Sequence, residues 1–250
     1  MEITREKIVG IVRDGLKDNS AVLAMWLEGS AASGHADEYS DIDIWLDVED
    51  SKEQMMLNKT KEILEKIGPL DYDYQRRKHP HPKITQRFFH IKGTSEFLLI
   101  DLNVQSHSRD FFFTKNKEGE DVQVIFEKGG SLKFQEFDEE EIKKEIDEKK
   151  PDLVKLFKLT HGVDGEIARN NFLEALMYYH KFILEPLVDL LRIEHCPAKH
   201  GFYLKHIGRD LPEDIVARLE DLYKVNSVEE LRQKLQKAKE WFDEIVKDVQ

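Results

Sequence analysis

From position 41 the chain alternates strictly: Asp41-Ile42-Asp43-Ile44-Trp45-Leu46-Asp47-Val48. Successive side chains of a β-strand point to opposite faces, so this period of two predicts a half-buried strand. It turns Ile42, Ile44, Leu46 and Val48 toward a core and leaves Asp41, Asp43, Trp45 and Asp47 on the other face. The apolar run 21–27 reads as a second, buried strand that Gly29-Ser30 end, and ten residues, 31–40, separate Ser30 from Asp41. Asp41 and Asp43 then stand about 7 Å apart at Cα, at a rise of ~3.3 Å per residue. Two like charges about 4 Å apart repel by ~1 kcal/mol in water and ~4 kcal/mol in a partly shielded cleft, so a fold gains nothing from the pair. A divalent cation removes that penalty, and carboxylate oxygens are the ligands Mg²⁺ prefers. The bland alternative is a solvated strand face.

Two further features weigh against the bland alternative. Gly29 leaves no side chain in the way of a close backbone approach. Ser30 adds a hydroxyl to the backbone N–H groups of a predicted helix start, which together make an anion site. A third carboxylate lies on another predicted strand, Phe97-Leu-Leu-Ile-Asp-Leu-Asn-Val104. There Leu98, Ile100, Leu102 and Val104 share one face, and Asp101 shares the other with Phe97, Leu99 and Asn103. An Asp inside so apolar a strand is costly unless it is hydrogen-bonded, paired or bound to a metal.

The rest of the first half predicts mixed α/β structure. A helix over 3–17 carries Ile8, Ile11, Val12 and Leu16, and another over 51–67 has Ser51 as N-cap and Gly68-Pro69 as its stop. Further strands are predicted near 70–76, 84–91, 96–105 and 122–127. The second half predicts helix throughout. A charged helix or linker over 138–150 is punctuated by Pro151, which sets the domain boundary, and a long apolar helix over 165–194 is kinked or broken at Pro186. Helices are predicted to begin at Pro197 and Pro212, with Asp210 and Glu213 as a capping box, and at Ser227 with Glu230 as capping partner. The fold class is therefore α+β: a mixed sheet with flanking helices over 1–150 and a helical bundle over 151–250.

Strand, Gly-Ser, a spacer of ten, Asp-hydrophobic-Asp-hydrophobic and a third Asp on a later strand resemble the DNA polymerase β-type nucleotidyltransferase superfamily, in positions Gly29, Ser30, Asp41, Asp43 and Asp101. The helical second half, with its helix from Glu174 to Leu191, is similar in architecture to the small-antibiotic adenylyltransferases that modify aminoglycosides and lincosamides. The resemblance implies an enzyme that moves a nucleoside monophosphate, AMP from ATP or from another nucleoside triphosphate, onto a hydroxyl of a small molecule and releases pyrophosphate. It implies two Mg²⁺ ions held by Asp41, Asp43 and Asp101, with Asp101 also a candidate base for the attacking hydroxyl. Gly29 and Ser30 would grip the β- and γ-phosphates, and Lys181 is the candidate basic residue of the helical half, its alternative being a solvated side chain. Glu174 is a candidate base or cation holder, or a plain helix-surface acid. A protein-modifying AMP transferase is an alternative, as is a non-catalytic nucleotide-binding protein of the same fold. About 100 helical residues favour a small-molecule acceptor over the former, and the presence of all three carboxylates counts against the latter.

Composition narrows the partners. The 250 residues carry a net charge of −12, with 23 Lys and Arg against 32 Asp and Glu in residues 1–150. That surplus suits metal ions or a cationic substrate and disfavours a nucleic-acid partner. No apolar run is long enough to span a membrane, and the charged opening residues show no leader core. Cys196 is the only cysteine, so no internal disulfide forms, which fits a cytoplasmic setting. The basic loop Arg76-Arg-Lys-His-Pro-His81 reads as solvated or as an anion contact. The histidines show no zinc-like spacing with cysteine, and Phe111-Phe-Phe113 reads as a packing cluster.

Overall fold

The computed structural model describes residues 3–32, 34–115 and 122–248. The chain divides into two compact units, Met1–Phe137 and Asp138–Gln250.

In the first unit, α1 (Arg5–Leu16) leads into β1 (Val22–Leu27), the single-turn α2 (Gly29–Ala32), β2 (Ile42–Val48), α3 (Glu53–Glu65), β3 (Leu70–Gln75), β4 (Ile84–Ile91) and β5 (Ile100–Ser106). The unit closes with β6 (Phe113–Lys115), β7 (Gln123–Glu127) and β8 (Phe134–Glu136). The described residues form a six-stranded sheet in the order β3-β4-β5-β2-β1-β7, with β6 and β8 as a separate parallel pair. Strands β2 and β5 lie at its centre and run parallel, whereas every other neighbouring pair in the sheet is antiparallel.

The alternation in β2 sorts as predicted. Ile42, Ile44, Leu46 and Val48 are buried in one core with Ile100, Leu102 and Val104 of β5, Ile8, Val12 and Leu16 of α1, and Met56, Leu57 and Leu64 of α3. The opposite face carries a smaller cluster, in which Trp26 stacks on Trp45 at 5.8 Å between ring centres and meets Phe113 edge-on at 5.5 Å. Phe111 completes that cluster as predicted, while Phe112 is exposed.

In the second unit come α4 (Glu139–Phe157), α5 (Thr160–Ala168), α6 (Phe172–Tyr179), a π-helical turn over His180–Leu184, α7 (Glu185–His195), α8 (Ile207–Asp210), α9 (Glu213–Tyr223) and α10 (Val228–Asp248). Its core gathers Phe157, Val163, Tyr179, Leu187, Leu191, Leu219, Leu235 and Phe242.

The structure differs from expectation at five places. Helix α4 runs through Pro151, and the compact units meet at 137/138, ahead of the boundary placed at Pro151. The long helix breaks at Asn170, which adopts a left-handed φ of 57°, and not at Pro186. A short polar Asn tolerates that conformation. Pro186 follows the wider π turn, where the Glu185 N–H reaches the His180 carbonyl, and the helical backbone continues through it into α7. Ser51 is not the cap of α3; it too has a left-handed φ, 66°, and Lys52 takes the cap position without a side-chain bond. Asp210 does not cap α9, because its carboxylate is held by Arg192 at 3.0 Å and Lys199 at 2.9 Å. Ser227 does cap α10, its hydroxyl accepting from the Glu230 N–H at 3.1 Å.

Candidate active site

At the end of β1 the ladder continues one residue, Glu28 N–H to the Asp43 carbonyl at 3.2 Å, and Gly29 then turns at φ 69° into α2. A Cβ at Gly29 would fall on the Asp43 carboxylate. Close approach and positive φ therefore both demand glycine here. The spacer that follows is fastened before it reaches the acids. Asp37 accepts from the Ser40 hydroxyl at 2.8 Å and the Tyr39 N–H at 3.0 Å, and these bonds hold its carboxyl below the usual range. The Arg5 guanidinium of α1 donates to the carbonyls of Asp37 at 3.3 Å and Ser40 at 2.5 Å, fixing the chain immediately before Asp41.

Asp43 and Asp101 are register partners across the parallel β2–β5 pair, and Asp41 precedes Asp43 by two. Register partners point to one face about 4.8 Å apart, so the three carboxylates share the face opposite the main core. Each is half-buried. The approach segments also run together, with the Ile42 N–H on the Leu99 carbonyl at 2.8 Å, and there Tyr39 and Phe97 form an exposed edge-to-face pair at 5.0 Å.

Burial pushes the Asp101 carboxyl above the usual range, and the Asp41 charge adds to the rise. Hydrogen bonds from Gln86 and Asn103 and the positive charge of Arg76 oppose it without cancelling it. The Gln86 amide nitrogen lies 2.9 Å from both Asp101 oxygens, and the Asn103 amide donates to Oδ1 at 3.0 Å. Sequence reasoning missed Gln86, because its role depends on β4 lying beside β5. It also left Arg76 among the basic loop residues, although Arg76 bonds the Gln86 carbonyl oxygen at 3.2 Å.

Deeper along the same face, Asp47 is 1% exposed. His107 Nδ1 is 2.7 Å from one of its oxygens, and Gln105 donates to the other at 3.3 Å. Burial still pushes its carboxyl upward. Asp47 is thus a paired structural acid, separated from Asp43 by the Trp45 layer.

A divalent metal fits the chemistry of this face. All three candidate ligands are hard carboxylate oxygens, and the rise in Asp101 records a carboxylate that a nearby cation would relieve. Among the described residues no group of three His, Cys, Asp or Glu side chains lies close enough together to hold a metal ion as it stands.

Residues 9–100 match the family described as nucleotidyltransferase domain. That segment is a nucleotidyltransferase domain. The match contains Gly29, Ser30, Asp41 and Asp43 and ends one residue before Asp101, so the assignment of the third acid rests on its register with Asp43. With its mixed sheet and helical second half, the chain that carries this domain is α+β. An aminoglycoside 6-adenyltransferase from Bacillus subtilis aligns over 98% of this chain and 89% of its own at 16% identity, with a TM-score of 0.39. The protein JHP933 from Helicobacter pylori aligns over 98% and 93% at 13% identity, with a TM-score of 0.30. No curated protein matches this chain.

Lys181 belongs to the second unit, in the π turn, and is exposed. It lines an open cavity of about 520 Å³ with Leu173, Met177, His180, Glu185 and Tyr203. Glu174 accepts from Asn171 at 2.9 Å and the Tyr178 hydroxyl at 3.0 Å, which ties it into its own helix. No helix among the described residues is long and apolar enough to cross a membrane.

Proposed function

We propose that this nucleotidyltransferase moves AMP from ATP onto a hydroxyl of a small, cationic acceptor of the aminoglycoside-antibiotic kind, with Mg²⁺ and in the cytoplasm. The observation that carries this reading is the placement of Asp41, Asp43 and Asp101 on one face of the central β2–β5 pair, with Gly29 against Asp43. In the reaction, the acceptor oxygen bonds to the α-phosphorus of ATP and the bond from that phosphorus to the pyrophosphate oxygen breaks. Bound Mg²⁺ would neutralise the triphosphate and increase the acidity of the attacking hydroxyl. Asp41 and Asp43 serve as shared ligands for the ions, and Asp101 completes the set. Asp101 also takes the proton of the hydroxyl; a carboxyl raised by burial accepts a proton more readily than an ordinary one. Gly29 and Ser30 receive the β- and γ-phosphates.

The net charge of −12 supports a cationic acceptor. The helical unit serves acceptor recognition, and its open cavity is of small-molecule size. The test is a panel of hydroxylated antibiotics and metabolites incubated with the purified chain, Mg²⁺ and ATP labelled at the α-phosphate. Label on a small molecule with equimolar pyrophosphate is the expected result. Label on protein alone, or none with any member of the panel, counts against the proposed acceptor.

A further inference from the structure

Gln86 is 9% exposed and Asn103 4%, and they are register partners on β4 and β5. Both spend their amide N–H groups on one acceptor, the Asp101 carboxylate. Gln86 has no freedom to reverse its amide. Its carbonyl oxygen faces the Arg76 guanidinium at 3.2 Å, and a guanidinium only donates. Reversal would set an NH₂ against Arg76 and a carbonyl against Asp101. The backbone reinforces the arrangement, since the Arg76 N–H bonds the Gln86 carbonyl of the main chain at 3.0 Å.

The arrangement is also uneven at Asp101. Oδ1 accepts from both Gln86 and Asn103, which fills its two lone pairs, whereas Oδ2 accepts from Gln86 alone. One lone pair of Oδ2 stays uncommitted in this network.

We infer that Gln86, locked by Arg76, is a positioning residue that presents Asp101 Oδ2 for metal ligation. The inference rests on the proposed role of Asp101 and goes beyond it: this chain orients its third acid through a neutral amide on β4, anchored by a cation from the loop before that strand. The two amides satisfy the carboxylate in a half-buried site without a salt bridge, so no paired cation competes with a metal for its oxygens. Arg76 hydrogen-bonds the amide and not the carboxylate, so it leaves the oxygen unneutralised by direct pairing.

Gln86→Met keeps the length and burial of the side chain and removes the amide. In the full chain, Mn²⁺ affinity read by electron paramagnetic resonance without nucleotide, and kcat of transfer, should each fall ~10–100-fold, the usual effect of losing a partner that orients a ligand. The KM for ATP should stay within a few-fold. A residue that merely packs the sheet would lower the unfolding temperature and leave those two readouts alone. Arg76→Met is the companion variant, at an exposed position that the fold tolerates. It frees the amide to reverse and should give a smaller fall in the same two quantities. If either folded variant keeps wild-type Mn²⁺ affinity and kcat while Asp101→Asn loses both, the positioning role is wrong and the metal site stands. If Asp101→Asn also keeps both, the reading of the site itself is wrong.

Discussion

Gly29 offers a test in which the structure supplies its own control. Gly29 and Gly34 both hold left-handed backbone, at φ 69° and 72°. A side chain at either costs about 1–2 kcal/mol from the clash of Cβ with the backbone. The surroundings differ. Nothing lies within 4 Å of a Cβ at Gly34, whereas one at Gly29 falls on the Asp43 carboxylate. That carboxylate would have to move roughly 1 Å to regain ordinary contact. A shift of about that size at a reacting centre costs ~10²-fold in rate. Gly34→Ala should therefore lose about 1–2 kcal/mol in urea unfolding and keep its transferase turnover. Gly29→Ala should lose at least as much stability, ~10²-fold in turnover, and its Mn²⁺ affinity as well. Equal turnover in the two variants would refute the reasoning, because it would mean that Asp43 does not depend on the space at Gly29.

Four further expectations concern the acids and one helix. Asp41→Asn with Asp43→Asn should abolish metal-dependent ATP binding, seen by calorimetry, while unfolding is unchanged or slightly harder because like-charge repulsion is gone. Asp101→Asn should cut turnover by ~10²-fold or more and shift ATP affinity only a few-fold, since its interaction matters most in the transition state. Its effect on stability has a definite sign. The folded carboxyl is raised above its ordinary 3.8, so the folded state loses stability as pH climbs through that value and on to the raised one. The Asn variant should therefore be the more stable protein at neutral pH, and its advantage should vanish in acid below 3.8; equal pH profiles for the two proteins would contradict the shift. Ser227→Ala should cost about 0.5–2 kcal/mol in urea unfolding by stripping the cap of α10.

Much of this is legible in the sequence alone. The alternation in β2 named both the core face and the acid face, and the cost of an Asp within 97–104 singled out Asp101, which the register then set beside Asp43. Local chemistry was legible wherever a residue answers to its own neighbours in sequence, as Ser227 and Glu230 do. It failed where tertiary partners outbid local ones. Asp210 has a capping pattern, yet the fully buried Arg192 claims it. The helix break at Arg169-Asn170-Asn171 carries neither Gly nor Pro, whereas Pro186 and Pro151 looked like stops and were accommodated. Gln86 is invisible for the same reason: a glutamine in a strand says nothing until β4 places it over Asp101.

The central claim is that Asp41, Asp43 and Asp101 together hold the divalent ions of nucleotidyl transfer. The direct measurement is a crystal structure with Mn²⁺ and a non-hydrolysable ATP analogue, read by anomalous scattering. The account predicts metal peaks within ~2.0–2.6 Å of carboxylate oxygens from all three residues, the reach of hard cations on oxygen, with the β- and γ-phosphates against Gly29 and Ser30. Metal and triphosphate bound away from this face, or ligated without Asp101, would contradict it.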